Sequence, residues 1–187
     1  MLITIRELED APLDFAVELA VGELDLGSDS QGSDFRQVTG LKASGRAELL
    51  EEHQGKRQVL QDIRVHGQLA TSLQMDCARC LEPVVYAVKR EFDLLYRPEL
   101  SAAQAAELEI KGAESEISYY GSDGLELNDA LREQVLLDLP LRVLCRQDCK
   151  GLCPTCGCNR NTEACDCAAP VDVRWAGLKD LQSKLQD

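Results

Sequence analysis

Nine cysteines stand in a chain of 187 residues, and eight of them fall into four close pairs: Cys77 with Cys80, Cys145 with Cys149, Cys153 with Cys156, and Cys165 with Cys167. Two thiolates separated by one to three residues can converge on one metal ion while nearby backbone N–H groups donate to the sulfurs, and two such pairs complete a tetrahedron. In Cys153-Pro154-Thr155-Cys156-Gly157 the proline fixes the turn and the glycine permits the left-handed backbone that follows it. The chemistry indicated is binding of one or two zinc ions. Proximity favours Cys153, Cys156, Cys165 and Cys167 as one site and Cys77, Cys80, Cys145 and Cys149 as the other. The latter would clip together segments about 65 residues apart, whose closure costs most entropy, and would pin the tail onto the preceding sheet. Cys158 is left over.

Three other uses of the cysteines compete with structural zinc: a disulfide framework, an iron–sulfur cluster, and a redox switch that releases zinc. A catalytic zinc site keeps a position for water and often uses histidine or carboxylate. Here His53 and His66 are the only histidines and neither lies near a cysteine pair, so all-thiolate, closed sites are expected. No phosphate-binding Walker loop, dinucleotide glycine fingerprint or Gly-x-Ser-x-Gly elbow is present. The chain is therefore expected not to be an enzyme and to have no small-molecule substrate.

No apolar run approaches the length of a membrane span, and the N-terminus lacks a basic segment followed by an apolar one, so a cytoplasmic protein without membrane contact is expected. Thiols stay reduced there, which favours metal over disulfides. The formal charge of -13 disfavours nonspecific capture of nucleic acid, and two dications on eight thiolates would lower it by four more. Any RNA contact must then be local. One local basic cluster exists: Arg142, Arg146, Lys150 and Arg160 stand against Asp148 alone between Leu141 and Arg160. These side chains suit RNA phosphates, or they offset thiolate charge. Tyr119 and Tyr120 suit base stacking or strand-edge packing.

The elements that must position these groups are mostly strands. Apolar residues alternate with polar ones through Ile63–Cys77, at Leu41 to Leu49, and from Val84 to Tyr96, the period of an antiparallel sheet with one wet face. Residues 27–37 (GSDSQGSDFRQ) read as a loop after a short N-terminal β segment, and Ala102 to Ile110 as a short helix. A better helix is expected from an Asn128 N-cap to a stop at Pro140, packing Leu127, Ala130, Leu131 and Val135 on the sheet. The predicted class is α+β: an antiparallel β-rich platform over 1–100, a helical segment packing on it over 101–140, and a Cys-rich, zinc-stapled segment with a short final helix over 141–187.

Met75-Asp76-Cys77-Ala78-Arg79-Cys80-Leu81, Leu139-Pro140-Leu141 before Cys145, Cys149-Lys150-Gly151-Leu152-Cys153-Pro154-Thr155-Cys156-Gly157, Asn159 and Cys165-Asp166-Cys167 together resemble the bacterial YceD family. The ending Asp172-Val173-Arg174-Trp175-Ala176-Gly177-Leu178 is similar too, with Val173 where the family has proline. The resemblance implies a role in accumulation of 23S ribosomal RNA in bacteria and chloroplasts, from a gene commonly beside that of a large-subunit ribosomal protein. It also implies grouping Cys77, Cys80, Cys145 and Cys149, since members without the late cluster keep the early pair and a later Cys or His pair. The resulting expectation is a noncatalytic ribosome-biogenesis factor that binds precursor RNA or a large-subunit assembly protein. The alternatives are an acidic adaptor for a basic ribosomal protein, a zinc-thiol redox sensor and a cryptic hydrolase.

Overall fold

The alternating stretches are long strands in the computed structural model, which describes residues 1–27, 35–54, 58–99 and 118–167. In chain order the elements are β1 (Leu2–Ile3), α1 (Ile5–Asp10), β2 (Leu13–Leu19), β3 (Phe35–Gln54), β4 (Gln58–Asp76), β5 (Pro83–Pro98), β6 (Ser118–Tyr120), β7 (Leu125–Glu126) and α2 (Leu127–Leu137). Five strands form one sheet in the order β2-β3-β4-β5-β6, and β1 pairs with β7 apart from it. β2 with β3 and β3 with β4 are antiparallel, whereas the short β6 lies parallel to β5. The fold is thus α+β with a mixed, mainly antiparallel sheet.

Two units divide the chain. The first comprises Met1–Met75 and Val85–Leu141; the second comprises Asp76–Val84 and the chain from Arg142 onward. In the first, the period-two alternation turns Leu41, Ile63, Val65, Leu73 and Val88 to a core completed by Leu8, Leu127, Leu131 and Val135 from the two helices. Phe15, Gly45 and Gly67 are opposite one another on three neighbouring strands. A Cβ on Gly45 would press on the His66 carbonyl and come within 2.8 Å of the Phe15 ring, and one on Gly67 would press on the Ser44 carbonyl, so both positions have room only for glycine against the neighbouring strand. The other face is laced by ion pairs, Lys42 to Glu18 at 3.0 Å, Arg46 to Asp14 at 2.6 Å and Arg64 to Asp93 at 2.7 Å. His66, on the same face, is half-buried.

Several details depart from the sequence reading. Ile5–Asp10 is a helix within the region read as a β-rich platform; Glu7 accepts the Thr4 backbone N–H at 2.9 Å, the capping-box signal of Thr-x-x-Glu. α2 starts two residues earlier than an Asn128 N-cap implies, its N-cap being Glu126. Pairing of Leu125–Glu126 with β1 carries the chain straight into the helix, and the Leu127 N–H donates to the Met1 carbonyl at 2.9 Å. Phe35–Gln37, read as loop, already belongs to β3. The rest of that loop over 28–34, the Ala102–Ile110 helix and the final helix lie outside the described residues.

Candidate metal centres

Cys77 and Cys80 sit in the turn that follows β4. The Cys77 N–H donates to the Glu82 carbonyl and the Leu81 N–H to the Cys77 carbonyl, each at 2.9 Å, which closes the turn tightly. Leu81 consequently takes φ 60°, the one positive φ among the described non-glycine residues, with its side chain 61% exposed. Gly157 holds the matching place after Cys156 with φ 75°. A left-handed leucine is strained by about 1–2 kcal/mol, so Leu81→Gly is expected to raise the stability of this turn by about 1 kcal/mol and slow metal release to a chelator. Faster release would show that the strain is absent.

The chain from Val143 wraps this turn. Ala78 N–H donates to the Val143 carbonyl at 2.9 Å, Leu152 N–H to the Arg79 carbonyl at 3.0 Å, and Arg79 Nη1 to the Cys149 carbonyl at 2.9 Å. Gly151, at φ 72°, lies so close that a Cβ there would be 2.9 Å from the Arg79 carbonyl. The result brings the four sulfurs of Cys77, Cys80, Cys145 and Cys149 within 4.8 Å of one another. Cys77 and Cys149 Sγ are 3.8 Å apart, Cys80 and Cys145 Sγ 3.6 Å. A tetrahedral ion with metal–sulfur bonds of about 2.3 Å requires edges of about 3.8 Å, so the set fits. Cys77, Cys80 and Cys149 are buried beside Val84, Leu144 and Leu152.

A second group gathers Cys153, Cys156, Cys165 and Cys167, again within 4.8 Å. Cys153 N–H donates to the Cys158 carbonyl and Gly157 N–H to the Cys153 carbonyl, both at 2.8 Å, folding the knuckle back on itself. Cys165 Sγ is 3.3 Å from Cys153 Sγ and 3.6 Å from Cys156 Sγ. Cys158, left over in the sequence, places its sulfur 3.4 Å from that of Cys156, so this group has a fifth thiol at its edge. Each group of four could hold a metal ion.

Electrostatics within the first group call for a cation. Burial works to raise the Cys77 thiol, but N–H groups of Cys145, Arg79 and Cys80 outweigh it and hold the thiol down at about 6. The Glu82 N–H favours the Cys80 thiolate, yet burial and the Cys77 sulfur leave Cys80 raised above its ordinary value. Cys145, exposed as a residue but with its sulfur among the others, is pushed up to about 12 by desolvation and by the sulfurs of Cys149, Cys80 and Cys77. A dication binding there at neutral pH would have to displace at least the protons of Cys80 and Cys145. Apparent affinity at this group is expected to rise by at least roughly 100-fold per pH unit near neutrality, and to fall still more steeply below about pH 6, where Cys77 also takes up a proton. Competition against a chromophoric chelator across pH measures this, and a flat profile would refute it.

Arg142, Arg146, Lys150 and Arg160 are all exposed. Arg146 is engaged with Asn161 Oδ1 at 2.8 Å and with Asp148 at 3.5 Å, while the side chains of Arg142, Lys150 and Arg160 have no hydrogen-bond or ion-pair partner among the described residues. The two tyrosines separate: Tyr120 is buried, with its hydroxyl donating to the Gln61 carbonyl at 2.6 Å, and Tyr119 is 53% exposed. Sequence reasoning missed Asn161, whose amide N–H donates to Cys149 Sγ at 3.3 Å. No spacing rule marks an outer hydrogen-bond donor, because its partner is set by tertiary contact.

Comparison with known proteins places this arrangement. An uncharacterised protein of Mycobacterium tuberculosis is 30% identical over 142 residues, covering 75% of this chain and 66% of its own length. One from Mycobacterium leprae is 27% identical over 66% of this chain and 54% of its own. A Zea mays protein named large ribosomal RNA subunit accumulation protein YCED homolog 1, chloroplastic, is 27% identical over 64% of this chain and 48% of its own. The chain thus spans less than two thirds of the length of these relatives. No solved structure matches it, and no helix among its described residues is long and apolar enough to cross a membrane. The family described as large ribosomal RNA subunit accumulation protein YceD matches residues 65–182, which is more than half of the chain and includes all eight paired cysteines. On that match, the chain belongs to the YceD family.

Proposed function

We propose that this chain is a noncatalytic, cytoplasmic factor in the accumulation of bacterial 23S ribosomal RNA, and that it engages precursor RNA through the cysteine unit. Zinc is the metal assigned to both groups, since four thiolates at tetrahedral spacing suit it and leave no position for a water nucleophile. Cys77, Cys80, Cys145 and Cys149 would hold one ion; Cys153, Cys156, Cys165 and Cys167 the other. The observation that carries the RNA reading is the exposure of Arg142, Arg146, Lys150 and Arg160 on the unit that the metals would stiffen. Cations on a rigid support can pair with phosphates at small entropic cost, and arginine can also stack on a base.

A second reading rests on the charge of -13. An acidic protein is drawn to basic partners, so an adaptor for a basic ribosomal protein would use the acidic surface for steering. Crosslinking to RNA in cells, followed by sequencing, separates the two. Enrichment of one 23S precursor region, lost in the Arg142→Glu, Arg146→Glu, Lys150→Glu variant, is the expected result. Absence of enrichment overturns the RNA reading and favours a salt-sensitive complex with a basic protein.

A further inference from the structure

Asn161 belongs to the loop between Cys158 and Cys165, yet it serves the other cysteine group. Its Oδ1 accepts from the Lys150 backbone N–H and from Arg146 Nη2, both at 2.8 Å. Those partners can only donate, so the amide orientation is fixed and Nδ2 must face the remaining two neighbours. They are Asn159 Oδ1 at 2.8 Å and Cys149 Sγ at 3.3 Å. Every hydrogen-bonding position of the Asn161 side chain is thus used.

The loop that presents Asn161 is itself anchored on the first group's turn. Leu152 and Asn159 form an isolated β-bridge, and the Arg160 N–H donates to the Gly151 carbonyl at 3.0 Å. Asn159 Nδ2 donates to Glu82 Oε1 at 3.2 Å, and Asn159 Oδ1 accepts the Asn161 N–H at 3.0 Å. The outer ends of this same loop are Cys153 and Cys156 before it and Cys165 after it, all members of the second group. Whatever fixes those sulfurs also fixes the path of residues 157–164 between them.

We propose that Asn161 is a positioning residue through which the second metal centre strengthens the first, so that the two ions bind with positive coupling. The inference rests on the two-centre reading given above. An ion on Cys153, Cys156, Cys165 and Cys167 removes the freedom of the loop, and the ordered loop delivers the Asn161 N–H to the Cys149 thiolate. Hydrogen bonds to ligands orient them, and losing one typically weakens metal binding about 10–100-fold. By reciprocity, an ion in the first centre favours loading of the second by the same factor.

Cobalt titration of the reduced full chain, followed by thiolate-to-cobalt absorbance, tests this. The first centre is recognised as the one absent from Cys77→Ser, Cys80→Ser protein. Asn161→Asp keeps the acceptor for Lys150 and Arg146 but sets an oxygen against the sulfur. It is expected to retain two ions and to weaken the first centre roughly 10–100-fold. The Cys153→Ser, Cys156→Ser variant should keep one ion with a similarly weakened first centre. Adding Asn161→Asp to it should cost no more, because the two changes break one linkage. Unchanged first-centre affinity in Asn161→Asp, or losses that multiply in the combined variant, overturns the coupling alone. Fewer than two ions in the unmodified chain overturns the two-centre reading, and the coupling with it.

Discussion

Chelation of the metal-loaded protein is expected to unfold the cysteine unit and leave the sheet standing. The buried cluster of that unit consists of Cys77, Cys80 and Cys149, with Val84, Leu144 and Leu152 only partly buried around it. Among its described residues it has no helix, and its strand content is the last residue of β4, the first two of β5 and one isolated bridge. So small an apolar core cannot offset the conformational entropy of ordering the segment, about 1–2 kcal/mol per residue for the backbone alone. A structural zinc site contributes an apparent ~10–16 kcal/mol of folding free energy at neutral pH, which is the term that would vanish. The sheet unit has its own core from Ile63, Val65, Leu73, Leu131 and Val135 and needs no ion. Trypsin should then cut rapidly at Arg142, Arg146, Lys150 and Arg160 after chelation, while the far-ultraviolet signature of the strands persists. Equal protease resistance with and without chelator would show that the unit folds without metal.

Replacing Arg97 by Ala is expected to cost the sheet unit about 3–5 kcal/mol, the usual penalty for stranding a buried charge. Asp62 is only 3% exposed, and Arg97 meets it with a two-pronged contact, Nε to Oδ1 at 3.2 Å and Nη2 to Oδ2 at 2.9 Å. The pair itself need not be a net source of stability, since burying two charges consumes most of their attraction. The loss arises because the remaining carboxylate has neither water nor its guanidinium. The Asp62→Leu, Arg97→Met double variant is therefore expected to be more stable than Arg97→Ala alone. Urea denaturation of metal-loaded protein gives both values; a single-variant loss below about 1 kcal/mol would mean that Asp62 finds another partner or water.

The long strands were legible because their chemistry repeats every second residue. Leu41 to Leu49 and Ile63 to Leu73 alternate cleanly, and both lie in strands whose alternate residues line the core. The first helix escaped notice because six residues are too few for a helical period to show, and only the Thr4–Glu7 cap marks it. Asn128 was misassigned because a good capping residue carries no information about the Leu125–Glu126 pairing with β1, which decides where the helix begins.

Residue type and spacing by themselves determined that eight cysteines stand in close pairs and that a mainly antiparallel sheet carries the chain. These are local or periodic properties, written within a few residues of one another. Only the tertiary structure decided that Cys77 and Cys149, 72 residues apart, have sulfurs 3.8 Å from each other. It alone set Leu81 in a left-handed turn, put Cys158 at the edge of the second group, and aimed Asn161 from one cysteine loop at a sulfur of the other. Each of these depends on hydrogen bonds between segments distant in sequence, such as Leu152 to Arg79 and Ala78 to Val143, whose geometry exists only once the chain has closed on itself.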